Sequence, residues 1–119
     1  MTELQRFTEK ILEFREARDW KQFHHPKDLA LALAIEAAEV LEVFRFKSPE
    51  QIDAERPQWK QALGEELADC LYFILLLAHD ADIDLPQAME AKLQKNAARY
   101  PVELSRGNNL KYDRLGNNA

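Results

Sequence analysis

A chain of 119 residues, 46% of them hydrophobic and 31% charged, holds enough apolar side chain for one packed core, which excludes a second large domain and a wholly disordered chain. Three glycines and five prolines are too few for the turns of a sandwich or barrel, so the expected fold class is all-α. The net charge of −5 argues against a surface that tracks a nucleic-acid polymer, and the single cysteine, Cys70, excludes an intrachain disulfide. No stretch reaches the roughly 18 apolar residues of a membrane span. The N-terminus MTELQRFTEKILEF lacks the continuous apolar core of a signal peptide, and the expected location is cytoplasmic, away from any membrane.

Residues 2 to 18 place Leu4, Phe7, Ile11, Leu12 and Phe14 at helical spacing behind Thr2 as N-cap, which predicts a first amphipathic helix. A polar break from Asp19 to Asp28 carries Trp20, Phe23 and the HHP string, and Pro26 keeps the residue before it out of helix. The segment from Lys27 to about Lys47 has no Gly or Pro in its interior and predicts a second, buried helix. Ser48 and Pro49 suit the start of a short helical turn in the next connection. A third helix runs from about Gln58 to Ala81, with Trp59, Leu63, Leu67, Leu71 and Ile74 on one face. Asp84 as N-cap and Pro86 in the first turn start a fourth, which stops at Pro101. The domain is therefore expected over residues 1–101, with 102–119 as a loosely ordered tail or one that packs on a partner. The second and third helices carry more apolar surface than one small unit covers, which predicts an antiparallel bundle of about four helices completed by oligomerisation, as a homodimer or homotetramer.

Polar residues inside the most apolar segments carry the chemistry. Glu36 and Glu39 lie three apart in LALAIEAAEVLEV, and Glu66 and Asp69 repeat the arrangement in LGEELADCLYF, so each pair shares a helix face. Like charges one turn apart in apolar surroundings are costly unless a cation sits between them. An all-oxygen set suits Mg²⁺, with Mn²⁺ as a substitute, over zinc or copper. The di-iron bundles need a Glu-x-x-His pair on each of two helices, which this chain lacks. The competing reading is a solvated acidic stripe paired with Lys and Arg. Lys92, Asn96 and Arg99 form a second stripe, suited either to phosphate oxygens or simply to a helix C-terminus. Trp20, Phe23 and Phe46 are either a sandwich for a planar base or ordinary core.

The strings RDWKQFHHPKDLALAL, EAAE, EELAD, DLPQA and KLQKNAARYP together resemble the all-α nucleoside triphosphate pyrophosphohydrolases, the MazG-like group, and within it the dCTP pyrophosphatase branch. The resemblance covers roughly residues 4 to 101. It implies that Glu36, Glu39, Glu66 and Asp69 hold Mg²⁺ and form the catalytic set, and that Lys92, Asn96 and Arg99 hold the triphosphate. It further implies that Trp20, Phe46 and Phe73 enclose the base, and that a nucleoside triphosphate is cut between its α- and β-phosphates to give a monophosphate and pyrophosphate, as nucleotide-pool housekeeping. Phe46, Phe73 and Ile11 depart from the Trp, Tyr and His of that branch, which implies fewer hydrogen bonds to the base edge and weaker discrimination between bases. The alternative function is a non-catalytic helical module that binds nucleotide or a partner.

Overall fold

The computed structural model describes residues 1–116, all of its regular structure helical; residues 117–119 of the expected tail lie outside the described residues. The order is α1 (Glu3–Ala17), a 3-10 turn (Lys21–Phe23), α2 (Pro26–Phe44), α3 (Pro49–Ala54), α4 (Arg56–Asp80), α5 (Leu85–Arg99), α6 (Val102–Ser105) and a second 3-10 turn (Tyr112–Arg114). These group into two compact units, Met1–Asp82 and Ile83 onward. No described helix is long and apolar enough to cross a membrane.

The starts follow the capping signals. Thr2 and Ser48 each close a capping box with the Gln three residues on, and the Asp84 side chain accepts from Gln87 N–H. His25 caps α2 through Nδ1, which accepts from Lys27 N–H at 3.1 Å. The expected end of α2 near Lys47 is corrected to Phe44, for a local reason. Phe46 adopts φ +62°, a left-handed conformation that no helix continues through, and Lys47 N–H turns back to the Phe44 carbonyl at 3.2 Å.

In the first unit α2 and α4 run antiparallel. Phe44 meets Trp59 with ring centroids 5.1 Å apart, while earlier in α2 Glu36 and Glu39 meet Glu66, later in α4. Leu29, Leu75, Leu76 and Ala78 are its buried apolar residues, and full burial of a Leu side chain contributes about 2 kcal/mol. The face of α4 expected to be apolar is only partly covered. Leu67 and Leu71 remain exposed, as do Leu31 and Ile35 on α2, and each pair spans one helical turn. The most buried side chain of α1 is a charged one, Arg15, with Phe7 and Phe14 left partly exposed.

In the second unit Tyr100 and Tyr112 make an edge-to-face pair at 6.1 Å, and the Arg99 guanidinium lies 4.7 Å from the Tyr112 ring centre. Gly107, at φ +72°, occupies a left-handed position after α6 where a Cβ is disfavoured.

Candidate active site

The middle of α2 and the middle of α4 bring three carboxylates together. One oxygen from each of Glu36, Glu39 and Glu66 lies within 4.8 Å of the others. The helical repeat explains the geometry: Glu36 and Glu39 share a face of α2, and the antiparallel crossing delivers Glu66 to that face. Glu36 and Glu66 each keep one oxygen, Oε2, out of water with no hydrogen-bond partner. An unpartnered buried carboxylate oxygen is costly. The cluster therefore calls for protons or a cation.

The electrostatics agree. The Glu66 carboxyl is pushed up to about 7, first by the hydrogen bond it shares with Glu39, then by burial and by the charges of Glu39, Asp69 and Glu36. Glu36 is raised by burial first, then by the charges of Glu39 and Asp69. Burial pushes the half-buried Cys70 thiol up, and all four carboxylates push it further. An oxygen-only donor set that shares protons when no cation is present is suited to a hard divalent ion, so the residues fit such a metal.

Beside the carboxylates lies a cavity of about 440 Å³ lined by Ile11, Phe14, Trp20, Tyr72 and Phe73 together with Lys10, Glu36 and Asp69. Trp20 stands edge-on to Phe14 at 5.7 Å, Phe14 to Tyr72 at 6.2 Å, and Tyr72 to Phe73 at 5.0 Å. A planar apolar group among these rings shares its space with two carboxylates. Such a site suits a molecule that is flat at one end and cation-bound at the other.

Of the residues singled out in the sequence, Glu36, Glu39 and Glu66 converge. Asp69 shares the cavity lining with Glu36, Trp20 and Phe73. Phe46 is not in that lining; its left-handed backbone turns the ring out, 91% exposed, with the Arg45 guanidinium 4.6 Å from its centre. Lys92, Asn96 and Arg99 form one stripe of α5, with Lys92 exposed and the other two half-buried. Three cavity residues were not foreseen as such. Phe14 reads in the sequence as core of an amphipathic helix, Tyr72 is masked by the apolar run around it, and Lys10 carries no signal at all.

Comparison with known proteins fits this arrangement. The model of the MazG-like family matches residues 31–115. dCTP pyrophosphatase 1 of Bos taurus is 45% identical over 109 residues, 90% of this chain and 64% of the relative. Its counterpart from Homo sapiens is 39% identical over the same shares. The chain spans less than two thirds of the length of these curated relatives. The crystal structure of a pyrophosphatase from Archaeoglobus fulgidus superposes with a TM-score of 0.80 at 33% identity, over 85% of this chain and 94% of that one. With a family match over most of its length, and carboxylates drawn together from two antiparallel helices, the chain belongs to the MazG-like family.

Proposed function

We propose that the protein is an Mg²⁺-dependent nucleoside triphosphate pyrophosphohydrolase that hydrolyses a (d)NTP such as dCTP to the (d)NMP and pyrophosphate. The observation that carries this reading is the trio Glu36, Glu39 and Glu66 within 4.8 Å, with orphaned buried oxygens, next to a ring-lined cavity that Glu36 and Asp69 also line. The names of the relatives, dCTP pyrophosphatase 1 and a pyrophosphatase, support the reaction class.

Glu36, Glu39, Glu66 and Asp69 hold the metal. When bound, Mg²⁺ supplies positive charge to the triphosphate oxygens and makes water more acidic near them. A carboxylate that the cation leaves unsaturated takes the proton of the attacking water, and Glu36 and Glu39 are the first candidates, since their helix follows the Trp20 segment. Trp20 and Phe73, which line the cavity, hold the base by stacking, while Phe46 lies outside that lining. Lys92, Asn96 and Arg99 hold the triphosphate, Arg99 in a bidentate pose. Water adds across the α–β phosphoanhydride bond: its oxygen bonds to one of the two phosphorus atoms, that atom's bond to the bridging oxygen breaks, and a nucleoside monophosphate and pyrophosphate separate. The exposed pairs Leu31 and Ile35, and Leu67 and Leu71, support a four-helix bundle completed by a second copy, as a homodimer or homotetramer. The role is nucleotide-pool housekeeping in the cytoplasm.

The test is a product assay on the purified protein with each common dNTP and NTP plus Mg²⁺, resolving pyrophosphate from orthophosphate. Pyrophosphate and monophosphate, lost on adding EDTA, are the expected products. Orthophosphate and diphosphate, or no turnover with any nucleotide, overturn the proposal.

A further inference from the structure

Arg15 is buried to 3% exposure at the end of α1, and its guanidinium donates to both oxygens of Asp80, at 2.8 and 2.9 Å. The same Nη1 lies 3.4 Å from His24 Nδ1. Meanwhile the Arg15 backbone carbonyl accepts from Arg18 N–H and from Trp20 N–H, each at 3.2 Å. One residue thus ties down both ends of the segment that carries Trp20: its side chain holds His24 and its carbonyl holds Trp20. Asp80, the last residue of α4, anchors the arrangement. Immediately before Trp20, Asp19 sits at φ +53°, a left-handed conformation that a free chain avoids.

A buried ion pair is a weak source of stability, because desolvation offsets its attraction and apolar residues of the same volume often do as well. What it does supply is geometry. A bidentate guanidinium–carboxylate pair fixes a plane, and a lysine in its place does not. The segment so fixed presents Trp20 to the ring-lined cavity, edge-on to Phe14.

We propose that Arg15, locked by Asp80 and tied to His24, is a positioning residue that sets the Trp20 indole as a wall of the cavity and through it governs how tightly the base is held. This rests on the reading of the cavity as the base site. The electrostatics of His24 fit: burial first, then the Arg15 charge, hold its imidazole below the usual range, with Asp80 opposing, which favours the neutral ring whose Nδ1 can accept from the guanidinium. Arg15 touches neither substrate nor metal in this scheme. Its effect passes through one indole.

The experiment uses the full chain in a Trp59→Phe background, which leaves Trp20 as the sole tryptophan. Without nucleotide, Arg15→Lys is expected to raise acrylamide quenching of Trp20 about twofold, as the turn loosens. With dCTP and Mg²⁺, KM is expected to rise about tenfold while kcat stays within about twofold, in the range of one lost aromatic stack. In a Trp20→Ala background the same Arg15→Lys change should leave KM within about twofold, since its effect has no indole to act through. An equal rise in KM with and without Trp20, or unchanged quenching, overturns the proposal. Should Arg15→Lys not fold, His24→Ala keeps the Asp80 pair and is expected to shift quenching and KM in the same direction; no shift in either overturns it. If the parent protein turns over no nucleotide, the functional reading fails while the quenching comparison still decides the positioning role.

Discussion

Glu66 offers the most quantitative test of the carboxylate cluster. Its carboxyl in the folded protein is pushed up to about 7, with Glu39 as the largest cause, so a cation must displace a proton there near neutral pH. With a pKa of about 7, roughly one site in eleven is ionised at pH 6 and ten in eleven at pH 8, and Mg²⁺ affinity is expected to rise about tenfold over that window. The site titrates as a coupled group, so the midpoint belongs to the cluster. Glu66→Gln removes the most strongly raised member of the cluster, and its Mg²⁺ affinity should be weaker and less dependent on pH than that of the parent. Folding stability carries the same signature with a definite sign. A carboxyl whose folded pKa lies above its unfolded value of 4.5 makes the metal-free fold progressively less stable as pH rises from about 4.5 through 7. Raising pH should therefore erode wild-type stability relative to Glu66→Gln, and Mg²⁺ should reverse the loss. Isothermal titration calorimetry in buffers of different ionisation enthalpy counts the protons released. An Mg²⁺ affinity that is flat from pH 6 to 8 with no proton release refutes the reasoning.

Glu36→Gln and Asp69→Asn are each expected to reduce Mg²⁺-dependent turnover by at least about a hundredfold with the far-ultraviolet helical signal retained; unaltered turnover in either removes that residue from the metal set. Trp20→Ala should raise KM for every nucleotide by about 5- to 100-fold, because stacking is tolerant of base identity, and a loss confined to one base in a substrate panel would show edge reading instead. Asp80→Asn leaves the buried Arg15 charge without its carboxylate and should cost about 3 kcal/mol in urea unfolding. Loss of the exposed Arg45–Glu42 pair by Glu42→Gln should cost under about 0.5 kcal/mol; equal costs would mean that burial of the Arg15 pair is energetically irrelevant.

The parts of this protein that were legible in its sequence are those written in short-range pattern. Thr2, Ser48 and Asp84 announce helix starts because a cap and its partner lie within three residues. Glu36, Glu39 and Glu66 are conspicuous because each interrupts an apolar segment, and antiparallel packing of their helices then brings them together. Partners distant in sequence leave no such mark. Arg15 and Asp80 are 65 positions apart, and nothing local distinguishes Arg15 from an ordinary surface arginine of α1. The end of α2 departs from the expected one for another reason: left-handed Phe46 stops the helix early and redirects its own ring, and helical periodicity carries no information about a φ of +62°. The tyrosine at position 72 shows the same limit, since period alone does not separate a cavity wall from a core residue in LYFILLLA.

The backbone at Phe46 sets folding against use. A left-handed conformation costs a bulky aromatic residue on the order of 1 kcal/mol or more, and a ring left 91% exposed gains almost nothing from burial in return. Contact with the exposed Arg45 guanidinium restores only about 0.5 kcal/mol. A glycine at this position would relieve the torsional penalty and remove the apolar surface together. Phe46 is thus a residue that the isolated chain would fold better without, and what it contributes must be sought in the molecules the protein meets.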